Sequence, residues 1–136
     1  MKTAVITGGT SGIGLAAAKV FLAENFNCVL VGRSTVKFKK IRGELTGSYR
    51  FISGDVSKVA DCEKIIQRTV EIFGGVDVLV NCAGIYAEGA ITAVTEEIFD
   101  EIFATNVKGT FFMNRAAVGE LIKSRGAVVN VASDAG

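Results

Sequence analysis

Short β-branched runs alternate with longer stretches of helical spacing along this chain. Thr3-Ala4-Val5-Ile6-Thr7 predicts a buried strand, and the Ala-rich stretch from Ile13 to about Glu24 predicts a helix. Cys28-Val29-Leu30-Val31 predicts a second strand, followed by a Lys-rich helix to about Leu45. Tyr49-Arg50-Phe51-Ile52 is the third strand. Val59, Cys62, Ile66, Val70 and Phe73 then recur at helical spacing, with Ser57 as the expected N-cap and Gly74-Gly75 as the stop. Val76-Asp77-Val78-Leu79-Val80 is the fourth strand. Thr95 is expected to cap a long helix that carries Ile98, Ile102, Phe103, Val107 and Phe111 and ends near Lys123. Glu96 and Glu97 suit the dipole at its start. Ala127 to Val131 is the fifth strand.

This βαβαβαβαβ order predicts an α/β fold: a doubly wound, Rossmann-type parallel sheet of about five strands, built as one domain over residues 1–136. Ligands of such sheets bind beyond the C-terminal ends of the strands. Five loops are thereby marked: 8–12, 32–34, 54–56, 81–86 and 132–136.

Composition removes several function classes. Fifteen basic side chains face 14 acidic ones, so no basic excess points to nucleic acid. No apolar run approaches the roughly 20 residues of a membrane span, and the N-terminus passes straight into a glycine-rich turn without a signal-peptide pattern. The expectation is a cytoplasmic protein. Cys28, Cys62 and Cys82 are widely spaced and the chain has no histidine. Reduced, mostly buried thiols are expected, with no metal site and no Ser-His or Cys-His nucleophile. The chain also lacks proline, which nothing in the sequence explains.

The first marked loop carries the strongest chemistry. Thr7-Gly8-Gly9-Thr10-Ser11-Gly12-Ile13-Gly14 joins the first strand to the first helix. Gly8 allows a sharp turn, Gly12 a close approach of backbone to a pyrophosphate, and Gly14 tight packing of helix on strand. Amides of Thr10, Ser11, Gly12 and Ile13 at a helix start suit an anion. No Lys-Ser/Thr follows the last glycine, so this is not a P-loop. The second strand ends at Val31-Gly32-Arg33-Ser34, with no acid to take a ribose 2′-hydroxyl and with Arg33 placed to accept a 2′-phosphate. NADP is therefore expected over NAD. Lys39, Lys40 and Arg42 read as a solvated helix face.

At this point the sequence resembles the short-chain dehydrogenase/reductase family, and most nearly its 3-oxoacyl-carrier-protein reductases. Thr7, Gly8, Gly12 and Gly14 match its TGxxxGxG turn. Gly54-Asp55-Val56 resembles the turn that flanks adenine in that family. Asn81-Cys82-Ala83-Gly84 is similar to its NNAG motif, with Cys82 in place of the second Asn. Asn106, in Thr105-Asn106-Val107-Lys108-Gly109, matches the helix Asn of the catalytic tetrad, and Ser133 matches its serine. The resemblance implies cofactor contacts from the glycine turn, Arg33, Ser34, Asp55, Val56, Asn81, Ala83 and Gly84. It implies catalytic ancestry for Asn106 and Ser133, and hydride transfer between NADP(H) and a small carbonyl or alcohol substrate.

That chemistry also needs a Tyr whose pKa is lowered by a Lys four residues on. Tyr49 and Tyr86 are followed at that spacing by Ser53 and Ala90. The 136 residues are therefore expected to be the cofactor-binding portion of such an enzyme, C-terminally shortened and inactive alone. Asp134 is a weak substitute, since nothing places it at a substrate oxygen. Tyr86 is expected at the surface. The fifth strand and the long helix, with Phe99, Phe103, Phe111 and Phe112, are expected to present bare apolar surface and to drive homo-oligomerisation, swapping or aggregation. The competing reading, from a different class, is a non-catalytic nucleotide-binding or interaction module encoded by a genuinely shortened gene.

Overall fold

The computed structural model describes residues 1–133. Five parallel strands lie in the order β3-β2-β1-β4-β5. They are β1 (Thr3–Thr7), β2 (Asn27–Gly32), β3 (Tyr49–Ser53), β4 (Val78–Asn81) and β5 (Ala127–Asn130). The main helices are α1 (Gly12–Ala23), α2 (Thr35–Ile41), α3 (Val59–Phe73), α4 (Glu96–Phe103) and α5 (Thr110–Ser124). The expected Rossmann-type sheet is thus present. The strand order reverses between β1 and β4, the position where such sheets open a crevice.

Strand periodicity divides the core into two layers. Val5, Val29, Val31 and Leu79 point to one face and pack with Ile65 and Ile66 of α3 and Met113, Ala117 and Leu121 of α5. Ala4, Ile6, Leu30 and Val80 point to the other and meet Ala18 and Leu22 of α1. Burying each large aliphatic side chain contributes roughly 1.5–3 kcal/mol, which explains why β1 and β2 read as near-continuous apolar runs.

Several boundaries differ from expectation for identifiable reasons. Lys58, not Ser57, is the N-cap of α3 and makes no side-chain cap bond. Ser57 instead donates its amide and hydroxyl to the Asp55 carboxylate, at 3.0 and 2.7 Å. The Lys-rich helix is shorter than its pattern: α2 ends at Ile41 and a 3-10 turn covers Arg42–Glu44. The long helix after Thr95 is not uniform, because a π-helical segment, Ala104–Gly109, separates α4 from α5. Thr95 does cap it, accepting from the Ile98 amide at 3.3 Å. Gly74 closes α3 in the left-handed region, as expected.

Phe99, Phe103 and Phe111 are about half-exposed, matching the expected apolar surface. Phe112 departs from it: its ring packs against the α3/α5 core layer. The whole of β5 is exposed, and among the described residues it pairs with β4 alone. Asp134, and with it residues 134–136 of the fifth marked loop, lies outside the described residues. Among the described residues, no helix is long and apolar enough to cross a membrane.

Candidate functional site

A half-open cleft of about 370 Å³ lies over the C-terminal ends of β1, β2 and β4. Its floor is the glycine turn. Gly8 and Gly12 both adopt positive φ, at 63° and 51°, which only glycine does without cost. A Cβ on Gly8 would come within 3.0 Å of Cys82 carbonyl atoms and the Ala83 amide, so this turn is closed against the β4 loop. At Gly12 a Cβ would meet nothing within 4 Å, so the backbone there faces open space. Ser11 is the N-cap of α1, yet its side chain caps nothing, and the first turn holds no acid. The amides at the start of α1 are thereby left facing the cleft beside Thr10, Ser11 and Ile13, with the helix dipole behind them.

One rim is basic. Arg33 and Ser34 line it where β2 ends, and Lys37 joins them from the first turn of α2. The Ser34 hydroxyl accepts from the Lys37 amide at 3.2 Å and so caps α2. Sequence reasoning did not select Lys37. The available signal was its place in the first turn of α2, directly after the loop that carries Arg33 and Ser34.

Asp55 and Val56 form the neighbouring wall. Partial burial works to raise the Asp55 pKa. The two Ser57 hydrogen bonds and the positive charges of Arg33 and Lys58 outweigh it and hold the carboxyl below the usual carboxylate value.

Cys82, Ala83, Gly84 and Ile85 form the third wall. Thr7, buried at the end of β1, fixes this loop: its hydroxyl accepts from the amides of Cys82 and Ala83, both at 3.1 Å. Asn81 is not among the residues lining the cleft. It is buried at the end of β4, where its Nδ2 donates to Asn114 Oδ1 and Asn130 Oδ1 at 2.8 Å each. Its Oδ1 has no hydrogen-bond partner among the described residues.

Asn106 and Ser133 also stand outside the described cleft lining. Asn106 reaches the cleft through Ile85, accepting from its amide and donating to its carbonyl, both at 2.8 Å. The Thr110 hydroxyl, at the start of α5, donates to the Asn106 carbonyl of the π-helical segment at 3.0 Å. Thr105, next to Asn106, and Val131, two residues before Ser133, line the cleft directly. Tyr86 is 83% exposed, as expected for a surface residue.

An open, doubly wound α/β sheet with a glycine-floored cleft at its switch point defines the class of fold. The chain belongs to the short chain dehydrogenase family, whose model matches residues 2–136. It is 43% identical over 142 residues to an uncharacterized oxidoreductase of Thermotoga maritima, covering 99% of this chain and 55% of that protein. It is 33% identical to galactitol 2-dehydrogenase of Agrobacterium fabrum, covering 99% of this chain and 54% of that enzyme. An alcohol dehydrogenase of Thermococcus sibiricus, solved with 5-hydroxy-NADP, superposes with a TM-score of 0.91 at 32% identity. That match covers 98% of this chain and 59% of the archaeal one. The chain thus spans about half the length of the curated relatives it matches.

Proposed function

We propose that residues 1–136 form the dinucleotide-binding part of an NADP-preferring oxidoreductase that interconverts small carbonyl and alcohol substrates. The reading rests on one juxtaposition: uncapped α1 amides over a glycine floor, with Arg33 and Lys37 on the adjoining rim. The amides from Thr10 to Ile13 suit a pyrophosphate, with Gly14 letting α1 start close against Gly8. Arg33 and Lys37 suit a ribose 2′-phosphate, and Asp55 and Val56 flank the adenine. Ala83 and Gly84 line the opposite end, where the nicotinamide is expected. Asn81 supports that end from beneath. A bound nicotinamide cofactor supplies or takes up hydride. Ser133 is assigned to hold the substrate oxygen, on its family match, and Asn106 to fix the Ile85 segment beside it. The Thermococcus sibiricus enzyme's 5-hydroxy-NADP complex supports the choice of coenzyme.

The test is fluorescence titration of the chain with NADPH and NADH. NADPH is expected to bind more tightly, by about tenfold or more, with Arg33→Ala shrinking the difference and the Arg33→Ala/Lys37→Ala pair removing it. Equal or tighter binding of NADH would reject the NADP assignment. No carbonyl reduction is expected from these 136 residues alone, since neither Tyr begins a Tyr-x-x-x-Lys pair. Turnover by a chain of verified mass would overturn that view.

Self-association is part of the same proposal. Phe99, Phe103, Val107 and Phe111 are exposed at four-residue spacing, and Val128, Val129 and Val131 are exposed on and just after β5. Light scattering at micromolar concentration is expected to show an oligomer, and a clean monomer would reject it. Cytoplasmic residence is proposed with it, because a reducing compartment suits the free Cys28, Cys62 and Cys82.

A further inference from the structure

The Asp55 wall of the cleft is held from below by the first turn of α3, and one side chain in that turn is used unusually. Asp61 occupies the first turn of α3. A carboxylate there is ordinarily directed at its own helix's free amides. Here Asp61 Oδ2 accepts instead from the amide of Asp55, at 2.8 Å, six residues earlier and outside the helix. Asp55 is then fixed from three further directions. The Lys58 amide donates to its carbonyl at 3.0 Å, and the Gly54 amide before it donates to Gly32 at 3.1 Å. Its Oδ1 accepts from both the Ser57 amide and hydroxyl. The Cys62 thiol donates to the Val56 carbonyl at 3.2 Å, tying down the next residue. Asp55 and Val56 line the cleft, whereas Asp61 does not.

We propose that Asp61 is a positioning residue for adenine recognition: by anchoring the Asp55 main chain it sets where the Asp55 carboxylate and Val56 side chain stand in the cleft. This rests on the dinucleotide reading above and deepens it. The side chain acts through Asp55 and touches no ligand itself. Its loss leaves the Asp55 amide without its acceptor and frees the turn to shift, so the penalty falls on the adenine half of the ligand. The glycine floor and the Ala83-Gly84 wall are held by other bonds and stay in place.

The experiment measures binding of NADPH, adenosine 2′,5′-bisphosphate and reduced nicotinamide mononucleotide to the wild-type chain and to Asp61→Ala, Asp61→Glu and Asp61→Asn. Asp61→Ala is expected to weaken both adenine-bearing ligands by about tenfold and the mononucleotide by less than about twofold. Asp61→Glu keeps the charge and the helix but displaces the acceptor. It is expected to fold and to show the same selective loss, which serves where the alanine variant does not fold. Asp61→Asn retains an acceptor oxygen and is expected to restore adenine binding to within about threefold of wild type. Equal weakening of all three ligands, or none, in both Asp61→Ala and Asp61→Glu would overturn the proposal. Failure of the wild-type chain to bind either adenine ligand would instead overturn the dinucleotide reading, and this inference with it.

Discussion

A methyl group placed on Gly14 would fall on the carbonyl oxygen of Gly8. The two residues lie at opposite ends of one turn, so α1 can begin where it does only because Gly14 has no side chain. The Gly8 carbonyl belongs to backbone at the end of β1 and cannot swing aside as a side chain tip can. Gly14→Ala is therefore expected to cost about 2–3 kcal/mol, the usual scale of an overpacked site, and to weaken NADPH binding as α1 withdraws. Urea unfolding and fluorescence titration read the two effects. Gly43, where a Cβ would meet nothing within 4 Å, is the control, and Gly43→Ala is expected to change stability by no more than about 0.5 kcal/mol.

Thr7 joins β1 to the β4 loop through a single oxygen. Thr7→Val keeps the shape and removes the acceptor for the Cys82 and Ala83 amides. Each amide left unpaired costs roughly 1–3 kcal/mol if it stays buried, so a loss of about 2–6 kcal/mol is expected in urea unfolding, with Thr7→Ser close to wild type. Equal stability of the valine and serine variants would show that water replaces the hydroxyl.

The residues that the sequence made legible are those whose role is set by backbone geometry or burial. Gly8 and Gly14 sit in a fixed order between a strand and a helix, and that placement predicts the tight packing of α1 found against the Gly8 carbonyl. Val5, Ile6, Val29 and Leu30 reveal a two-sided sheet because both of its faces are covered. Residues whose role depends on a long-range partner were not legible. Asn81 looked like a cofactor contact, yet its amide is engaged by Asn114 and Asn130, 33 and 49 positions away. Ser57 failed for a local reason: Asp55, two residues before it, takes both its amide and its hydroxyl, an Asx-type turn that competes with capping. Lys37 was hidden in a run of lysines whose members face different directions around α2.

Acid unfolding tests the Asp55 network. Its folded-state pKa lies below that of the unfolded chain, so its ionised form stabilises the fold. That contribution is fully present above the unfolded value of about 4 and disappears as pH falls through the folded value. Asp55→Asn lacks it at every pH. The gap in urea midpoint between wild type and Asp55→Asn is therefore expected to be widest near neutral pH and to narrow below about pH 4. A gap independent of pH would mean that the Ser57 bonds act equally on the neutral carboxyl.

The three thiols should separate cleanly in a labelling experiment. Burial pushes the Cys28 thiol up to about 12, and burial with the nearby Asp61 charge pushes Cys62 up to about 11. Both side chains are closed to solvent, so neither supplies thiolate to a reagent while the fold persists. Cys82 is only partly buried and lines the cleft, although desolvation raises its pKa as well. Native chain treated with an aromatic disulfide at pH 8 is expected to release one equivalent of thiolate slowly, and three after denaturation. Peptide mapping should place the single native adduct on Cys82. Saturating NADPH should then slow the native reaction by about tenfold or more, because ligand seated against the Cys82-Gly84 loop holds that loop closed over the α1 core layer on which Cys82 packs, while denatured chain reacts at the same rate with or without it. Unchanged native reactivity under saturating NADPH would place the coenzyme away from the Ala83-Gly84 wall and would reject the orientation assigned to it.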